Sequence, residues 1–236
     1  MNCPPQNDVK TWKTISLIDF LQEGNVPRGW NDFMRRNDVW TELCKISEYL
    51  EERAKNSTIY PPIHQVFDAL NRVRPDEIKG VLIAQDPYHD GAANGLCFCV
   101  NSGFAINPSL RNIYLELENE GYSPVKNGNI SHWADQGILM LNNSLTVEMA
   151  SPDIHTSRWA MFSSLLVDHI NTTANSSTIT WLLFGGKSQK TVARKNILGI
   201  VRKTSHPSPL GAHKGSIQSP AFIGSGVFRT MPAMLW

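Results

Sequence analysis

Residue patterns that mark several other protein classes are missing from this sequence of 236 residues. No stretch approaches the roughly 18 consecutive apolar residues of a membrane span, and the first residues lack the basic-then-apolar pattern of a signal peptide. The four cysteines form no CxxC pair and match neither a disulfide framework nor a zinc site. We therefore expect a soluble, intracellular protein of the nucleus or cytoplasm, not a secreted one, with reduced thiols at Cys3, Cys44, Cys97 and Cys99.

Features of metal-dependent and cofactor-dependent proteins are missing too. The histidines lack ligand spacing with acidic or thiol partners, and no redox-cofactor motif occurs. Gly186-Lys187-Ser188 is similar to the end of a phosphate-binding P-loop, but that motif requires a glycine where Trp181 stands. We expect no metal and no cofactor.

The organisation of the chain favours one domain. Internal repeats and low-complexity tracts are absent, and a chain that is 41% hydrophobic and 18% charged suits one globular unit of this length. Residues 1–30 are rich in Pro, Asn and Gly with weak periodicity, so we interpret them as a loosely packed N-terminal extension. Residues 31–236 then form a single domain.

Charge is distributed unevenly along the chain. All 21 acidic residues lie within residues 1–168, whereas eight of the 22 Lys and Arg residues lie beyond that point. A basic segment of this kind can neutralise phosphates and steer a polyanion, although a solvated surface explains the charge equally well.

Short apolar runs alternate with helical patterns. Each apolar run is followed by polar residues or glycine. The four runs are residues 80–84, followed by Gln85; 138–141, followed by Asn142; 179–184, followed by Gly185; and 200–201, ahead of Ser205. Helical spacing is found at 38–50, 62–73, 108–118 and 159–170, with Asn107 as a cap. This alternation predicts an α/β protein with three α/β/α layers around a mostly parallel four-stranded sheet, whose ligand crevice lies outside the carboxyl ends of the strands.

Two of these strand ends carry longer motifs. Residues 84–89 (AQDPYH) are close to the water-activating motif of family 1 uracil-DNA glycosylases, and residues 205–211 (SHPSPLG) resemble their DNA-intercalation loop. Supporting matches are residues 59–62 (IYPP), 95–98 (GLCF), 108–114 (PSLRNIY) and 137–142 (GILMLN). Such ordered blocks, from about Trp30 to Gly215, are very hard to obtain by chance. The resemblance implies a uracil-DNA glycosylase-like fold and a hydrolase of DNA base-excision repair.

The resemblance also implies catalytic residues. The expected reaction is a dissociative cleavage of the N-glycosidic bond of deoxyuridine, leaving a sugar cation, a uracil anion and finally an abasic site. Asp86 would stabilise the cation and orient the attacking water. His206 would donate a hydrogen bond, as neutral imidazole, to the uracil carbonyl next to the breaking bond.

Four further residues would bind the base. Asn142 offers an acceptor and a donor that match the imide edge of uracil and mismatch cytosine. Tyr88 would occupy the space that the thymine methyl group needs, and Phe98 would stack on the flipped base. Gln85 would contribute main-chain donors to the uracil carbonyls.

The remaining matches would bind DNA. Leu210 is the candidate wedge that enters the duplex when the base leaves the stack. Other residues match the family's loops that grip the DNA backbone, or lie where phosphates would be held. These are His89, Ser109, Gly185, Gly186, Ser208, His213 and Lys214.

The sequence departs from the family pattern at a few places. Ala84 stands where Gly is usual, Gly186 where Ser is common, and Lys214 where Arg is common, which weakens bidentate phosphate contact. Residues 216–221 look inserted, and the last helix before Trp236 is shortened.

Two other functions compete with this one. A glycosylase fold kept as a DNA-tethering accessory is disfavoured because Asp86, Asn142 and His206 are all retained. A glycosylase of broader base range is disfavoured by Tyr88 together with Asn142. We expect a monomer that acts on uracil in single- and double-stranded DNA and, like family members, can be blocked by a DNA-mimicking inhibitor protein.

Overall fold

The computed structural model describes residues 10–236 of the chain. In chain order its strands are β1 (Ile59–Tyr60), β2 (Gly80–Ala84), β3 (Ile138–Asn142), β4 (Val147–Glu148), β5 (Thr180–Phe184) and β6 (Ile200–Thr204). Its α-helices are α1 (Leu17–Phe20), α2 (Asn31–Met34), α3 (Asn37–Ala54), α4 (Asp68–Arg72), α5 (Pro108–Asn119), α6 (Thr156–Ile170) and α7 (Gly186–Val192).

A four-stranded parallel sheet with the order β3-β2-β5-β6 forms the centre, and helices flank it. Strands β2, β3 and β5 are buried along their whole length, which explains their continuous apolar sequence. Strand β6 lies at the edge, where Arg202 and Lys203 are exposed. The predicted α/β fold class is confirmed.

The helices cover the sheet through apolar faces of helical period. Val39, Leu43, Ile46 and Leu50 of α3 are all buried, and α3 packs against α6. The predicted cap of α5 is present, since the Asn107 side chain accepts a hydrogen bond from the main-chain N–H of Ser109. Helix α7 packs on β5 and β2.

The helix predicted over 62–73 is interrupted. A 3₁₀ turn, Ile63–Gln65, is followed by the short α4, and Phe67 between them has non-helical backbone angles. The Phe67 ring is buried and packs against Trp159 and Phe162 of α6. Apolar spacing therefore identified the buried face of this segment but not the break that lets Phe67 enter the aromatic cluster.

The loose packing predicted for residues 1–30 does not hold from residue 10 onward. Leu17, Leu21 and Trp30 are at most 1% exposed and belong to the main hydrophobic core. The Trp30 indole donates to the carbonyl of Val73 at 2.9 Å, and the Trp12 indole donates to that of Pro61 at 2.7 Å. These large apolar side chains fix the segment despite its weak periodicity. The first nine residues of the predicted extension, with Cys3, lie outside the described residues.

A buried carboxylate of α5, that of Glu116, binds the C-terminal segment. Glu116 is fully buried and accepts hydrogen bonds from the main-chain N–H groups of Gly224 at 2.6 Å and Gly226 at 2.9 Å. Only a short 3₁₀ helix, Val227–Thr230, precedes the end of the chain. The terminal Trp236 nevertheless packs edge-on against Trp133 and Phe228.

We predict that Glu116→Ala lowers the free energy of unfolding by about 2–4 kcal/mol, because it leaves backbone donors without their charged acceptor. Urea denaturation provides the measurement. The matched control is Glu118→Ala on the same helix, which removes an exposed ion pair to Lys126 worth at most about 1 kcal/mol. Equal losses for the two variants would contradict the role assigned to Glu116.

Candidate active site

A cavity of about 190 Å³ lies at the carboxyl end of the sheet. This volume is below the roughly 300–1,000 Å³ of pockets that hold drug-sized ligands, so it suits a small planar group. The predicted site residues that line it are Gln85, Asp86, Tyr88, His89, Phe98, Ser109, Asn142 and His206. Residues distant in sequence meet here because parallel strands end at the same edge of a sheet.

Asp86 follows β2 directly and is half-buried. Its Oδ2 accepts a hydrogen bond from the main-chain N–H of Asp153 at 2.8 Å. Burial raises the pKa of Asp86 above its ordinary value, while this N–H and the charges of Lys187 and His89 act in the opposite direction. The carboxylate is thus a partly desolvated anion that retains one fixed donor.

His206 follows β6 and faces the same cavity. The main-chain N–H of Ser208 donates to its Nδ1 at 3.0 Å, so the lone pair is on Nδ1 and the proton of the neutral ring is on Nε2. Burial lowers the pKa of His206, and the charge of Lys187 lowers it further. The side chain therefore presents a neutral Nε2–H donor.

Gly185, between β5 and α7, packs directly against this histidine. Its φ is +88°, and a Cβ placed there would come within 2.9 Å of the His206 Cβ. Only glycine adopts this backbone conformation without strain while leaving room for the ring. Gly186, by contrast, is exposed and has open space around its Cα.

Two aromatic side chains form one wall of the cavity and are fixed to each other. The Tyr88 hydroxyl donates to the main-chain carbonyl of Phe98 at 3.1 Å, and burial raises the pKa of Tyr88. Phe98 has φ of +61°, which is uncommon outside glycine, and is 7% exposed. Its ring centroid lies 6.1 Å from that of His206.

Asn142 is the last residue of β3 and pairs in register with Ala84 of β2. The side chain is only 5% exposed and lines the cavity. A carboxamide in this position can bind a ligand through both a donor and an acceptor atom.

The predicted wedge lies outside the cavity, on a compact loop. Ser208 accepts from the N–H of Gly211 at 2.9 Å, and the Ser205 hydroxyl donates to the Gly211 carbonyl at 2.9 Å. A Cβ at Gly211 would meet the His206 carbonyl at 2.7 Å, so the turn requires glycine. Leu210 projects from this turn with 81% of its surface exposed.

The other predicted DNA-binding residues are at the rim or outside it. Ser109 lies at the cavity edge in the first turn of α5, and His89 is exposed at its mouth. His213 and Lys214 are exposed beyond the Leu210 loop and do not line the cavity. The geometry thus brings together the eight cavity residues, with Gly185 buried against His206, and leaves Leu210, His213 and Lys214 exposed on the surrounding surface.

Two residues beside the site were not predicted from the sequence. Asp153, in the loop between β4 and α6, contacts Asp86 through its main chain. Lys187, in the first turn of α7, pairs with the Asp153 carboxylate at 2.6 Å. The sequence signal for them is weak, because a Lys and an Asp separated by a strand and a helix belong to no local motif.

Within residues 10–236, no cluster of three or more His, Cys, Asp or Glu side chains is arranged to hold a metal ion. Likewise, no helix among these residues has the length and apolar character needed to cross a membrane.

We predict that Gly185→Ala lowers the free energy of unfolding by about 1–2 kcal/mol, because alanine is strained at positive φ and collides with His206. Chemical denaturation measures the loss, and NMR signals of the His206 ring report its displacement. The control for stability is Gly186→Ala, where the added methyl group meets no atom. If Gly185→Ala were as stable as Gly186→Ala, the close contact would not constrain the loop.

Comparison with known proteins identifies relatives over most of the chain. The profile of the uracil DNA glycosylase superfamily matches residues 71–224. The uracil-DNA glycosylase of Psychromonas ingrahamii is 39% identical over 193 residues, covering 79% of this chain and 88% of the relative. That of Acinetobacter baylyi is 36% identical over 215 residues, covering 89% and 88%.

Solved structures agree in fold. The crystal structure of mimivirus uracil-DNA glycosylase superimposes with a TM-score of 0.75 at 24% identity, covering 91% of this chain and 81% of that one. A mimivirus UNG variant in complex with UGI gives a TM-score of 0.72 at 26% identity, covering 84% and 79%.

Proposed function

The chain belongs to the uracil-DNA glycosylase family of DNA-repair hydrolases, and we propose that it flips deoxyuridine out of single- or double-stranded DNA and hydrolyses its N-glycosidic bond. The products are free uracil and an abasic site. The observation that carries this proposal is one small cavity that contains a carboxylate, a neutral imidazole donor, a carboxamide and an aromatic wall.

The cavity supports selection of uracil. The Asn142 carboxamide can accept from N3–H of uracil and donate to O4, whereas cytosine presents an amino donor and an unprotonated ring nitrogen that mismatch both atoms. Phe98 offers a face for stacking, worth roughly 1–3 kcal/mol per base. Tyr88, tied to Phe98 by its hydroxyl, narrows the cavity where the thymine methyl group would enter. We propose that Gln85 contributes main-chain donors to the uracil carbonyls.

Cleavage requires opposite charges to be stabilised on the two fragments. The bond between C1′ of the sugar and N1 of uracil breaks with both electrons leaving on uracil, so the sugar becomes a cation. The neutral His206 Nε2–H donates to the uracil carbonyl beside N1, where negative charge develops. The Asp86 carboxylate stabilises the cation and orients a water that adds to C1′, and the proton of that water passes to Asp86 or solvent.

Access to the base requires its removal from the stack, which costs a few kcal/mol. Leu210, exposed on its compact loop, is suited to fill the gap left in the duplex. The phosphates on either side would be held by hydroxyls, amides and cations around the rim, for which we propose His89, Ser109, Gly185, Gly186, Ser208, His213 and Lys214.

A protein partner is also proposed. A solved relative of this fold binds UGI, and the surface that surrounds the cavity would be the one covered by a DNA-mimicking inhibitor. We propose that residues 31–236, with residues 10–30 packed onto them, act as one monomeric domain.

We predict that Asp86→Asn lowers the single-turnover rate of uracil release on the order of 100- to 1,000-fold while DNA affinity is retained, because charge is removed without a change of shape. The measurement combines rapid-quench kinetics on a strand carrying one uracil with fluorescence anisotropy for binding. An unchanged rate would refute the electrostatic role of Asp86.

Leu210→Ala should lower the rate on duplex DNA roughly tenfold or more and the rate on single strands much less, because flipping from a single strand costs less. Single-turnover rates on both substrates provide the test. Ile217→Ala is the matched control, since Ile217 is fully exposed on the following loop. Equal loss of activity on both substrates would rule out a wedge at Leu210.

A further inference from the structure

Asp153 joins three elements around the candidate catalytic carboxylate. Its main-chain N–H donates to Oδ2 of Asp86 at 2.8 Å. Its own carboxylate accepts hydrogen bonds from the Gln85 side-chain amide and from the Thr156 hydroxyl at 3.4 Å. Asp153 has φ of +67°, a conformation that Asp tolerates better than most residues but that needs support from its surroundings.

Lys187 supplies that support from the first turn of α7. Its ammonium lies 2.6 Å from Oδ2 of Asp153, so the loop before α6 and the first turn of α7 are bridged beside Asp86. Both side chains are about half exposed, at 56% and 45%, and an ion pair so exposed contributes little to stability. A contribution to stability therefore does not explain why this ion pair lies next to the candidate catalytic residues.

We propose that Asp153 and Lys187 form a positioning pair for the glycosylase reaction: the ion pair holds the Asp153 N–H on Asp86 and balances the charge around that carboxylate. The inference rests on the proposed function of Asp86, and the pair itself touches neither base nor sugar. The hydrogen bond occupies Oδ2 and fixes the carboxylate rotamer, which leaves Oδ1 to face the sugar and the water.

The charges around Asp86 explain why both partners are needed. The groups that face it are Asp153 from the loop before α6, Lys187 from α7, and His89 from its own loop. The negative charge of Asp153 raises the pKa of Asp86, and the positive charges of Lys187 and His89 lower it. Asp153 therefore provides a useful N–H at the cost of a repulsive carboxylate, and Lys187 offsets that repulsion.

This arrangement predicts effects in the same direction for the two partners, because either substitution breaks the ion pair that holds the Asp153 N–H on Asp86. In Lys187→Gln a stabilising cation is lost, so the pKa of Asp86 should rise and activity should be lost at higher pH as the solution is acidified. In Asp153→Asn the ion pair is lost as well, and the released N–H affects the pKa of Asp86 more than the lost Asp153 charge does, so this pKa should also rise, by less than in Lys187→Gln. The double variant should lie between them, and Lys187→Arg, which keeps the charge, should resemble the wild type.

The experiment is a ¹³C NMR titration of carboxyl-labelled aspartate in the full chain without DNA, with the Asp86 signal assigned by its loss in Asp86→Asn. Single-turnover rates against pH follow on a uracil-containing strand. The matched control is Lys195→Gln, which breaks another Lys–Asp ion pair, with Asp168 at 2.7 Å, away from the cavity. It should leave the Asp86 titration unchanged.

A rise of the Asp86 pKa in both single variants, larger in Lys187→Gln than in Asp153→Asn, would support the pair. A fall of the Asp86 pKa in Asp153→Asn, which removal of the charge alone would give, would overturn it. So would the absence of any shift beyond that of Lys195→Gln, even if rates or unfolding midpoints fell. Because the titration needs no substrate, it decides the inference separately from the proposed function, which fails if the wild-type chain releases no uracil.

Discussion

Parallel strands that end at one edge of the sheet bring the whole site together. Asp86 follows β2, Asn142 ends β3, Gly185 follows β5 and His206 lies two residues after β6. Each strand is held in register by its neighbours, and three of the four are fully buried, so the positions of these residues are set by the core. The loops between strands and helices can then carry reactive groups without having to provide their own rigidity.

Burial at this edge shifts the pKa values of the two candidate catalytic residues in opposite directions, because it disfavours the charged form of each. Removal from water disfavours charge, which keeps His206 neutral and suits a hydrogen-bond donor for a developing anion. The same desolvation works against the ionised form of Asp86. The N–H of Asp153 and the nearby positive charges act against this effect, and the Ser208 N–H sets the His206 tautomer. The polar main chain of the loops is thus as much a part of the site as the side chains.

The sequence predicted most of the fold and the cavity because their signals are local. Continuous apolar runs mark buried parallel strands, and residues 84–89 and 205–211 carry their chemistry in one short segment each. The packing of Trp12 and Trp30 was missed because it depends on carbonyl acceptors at Pro61 and Val73, far along the chain. For the same reason the contact between Asp153 and Lys187 has no signature, and the break at Phe67 follows from aromatic packing that spacing alone does not specify.

The most direct test of the central claim is the product formed by the wild-type chain in the presence of a chelator. Duplexes that differ only in one uracil, thymine or cytosine are incubated with the protein, and both the free base and alkali-labile sites are quantified. The account predicts equal amounts of free uracil and abasic sites from the uracil duplex and neither product from the other two. Tight binding of all three duplexes without base release would contradict it and would favour a DNA-tethering role.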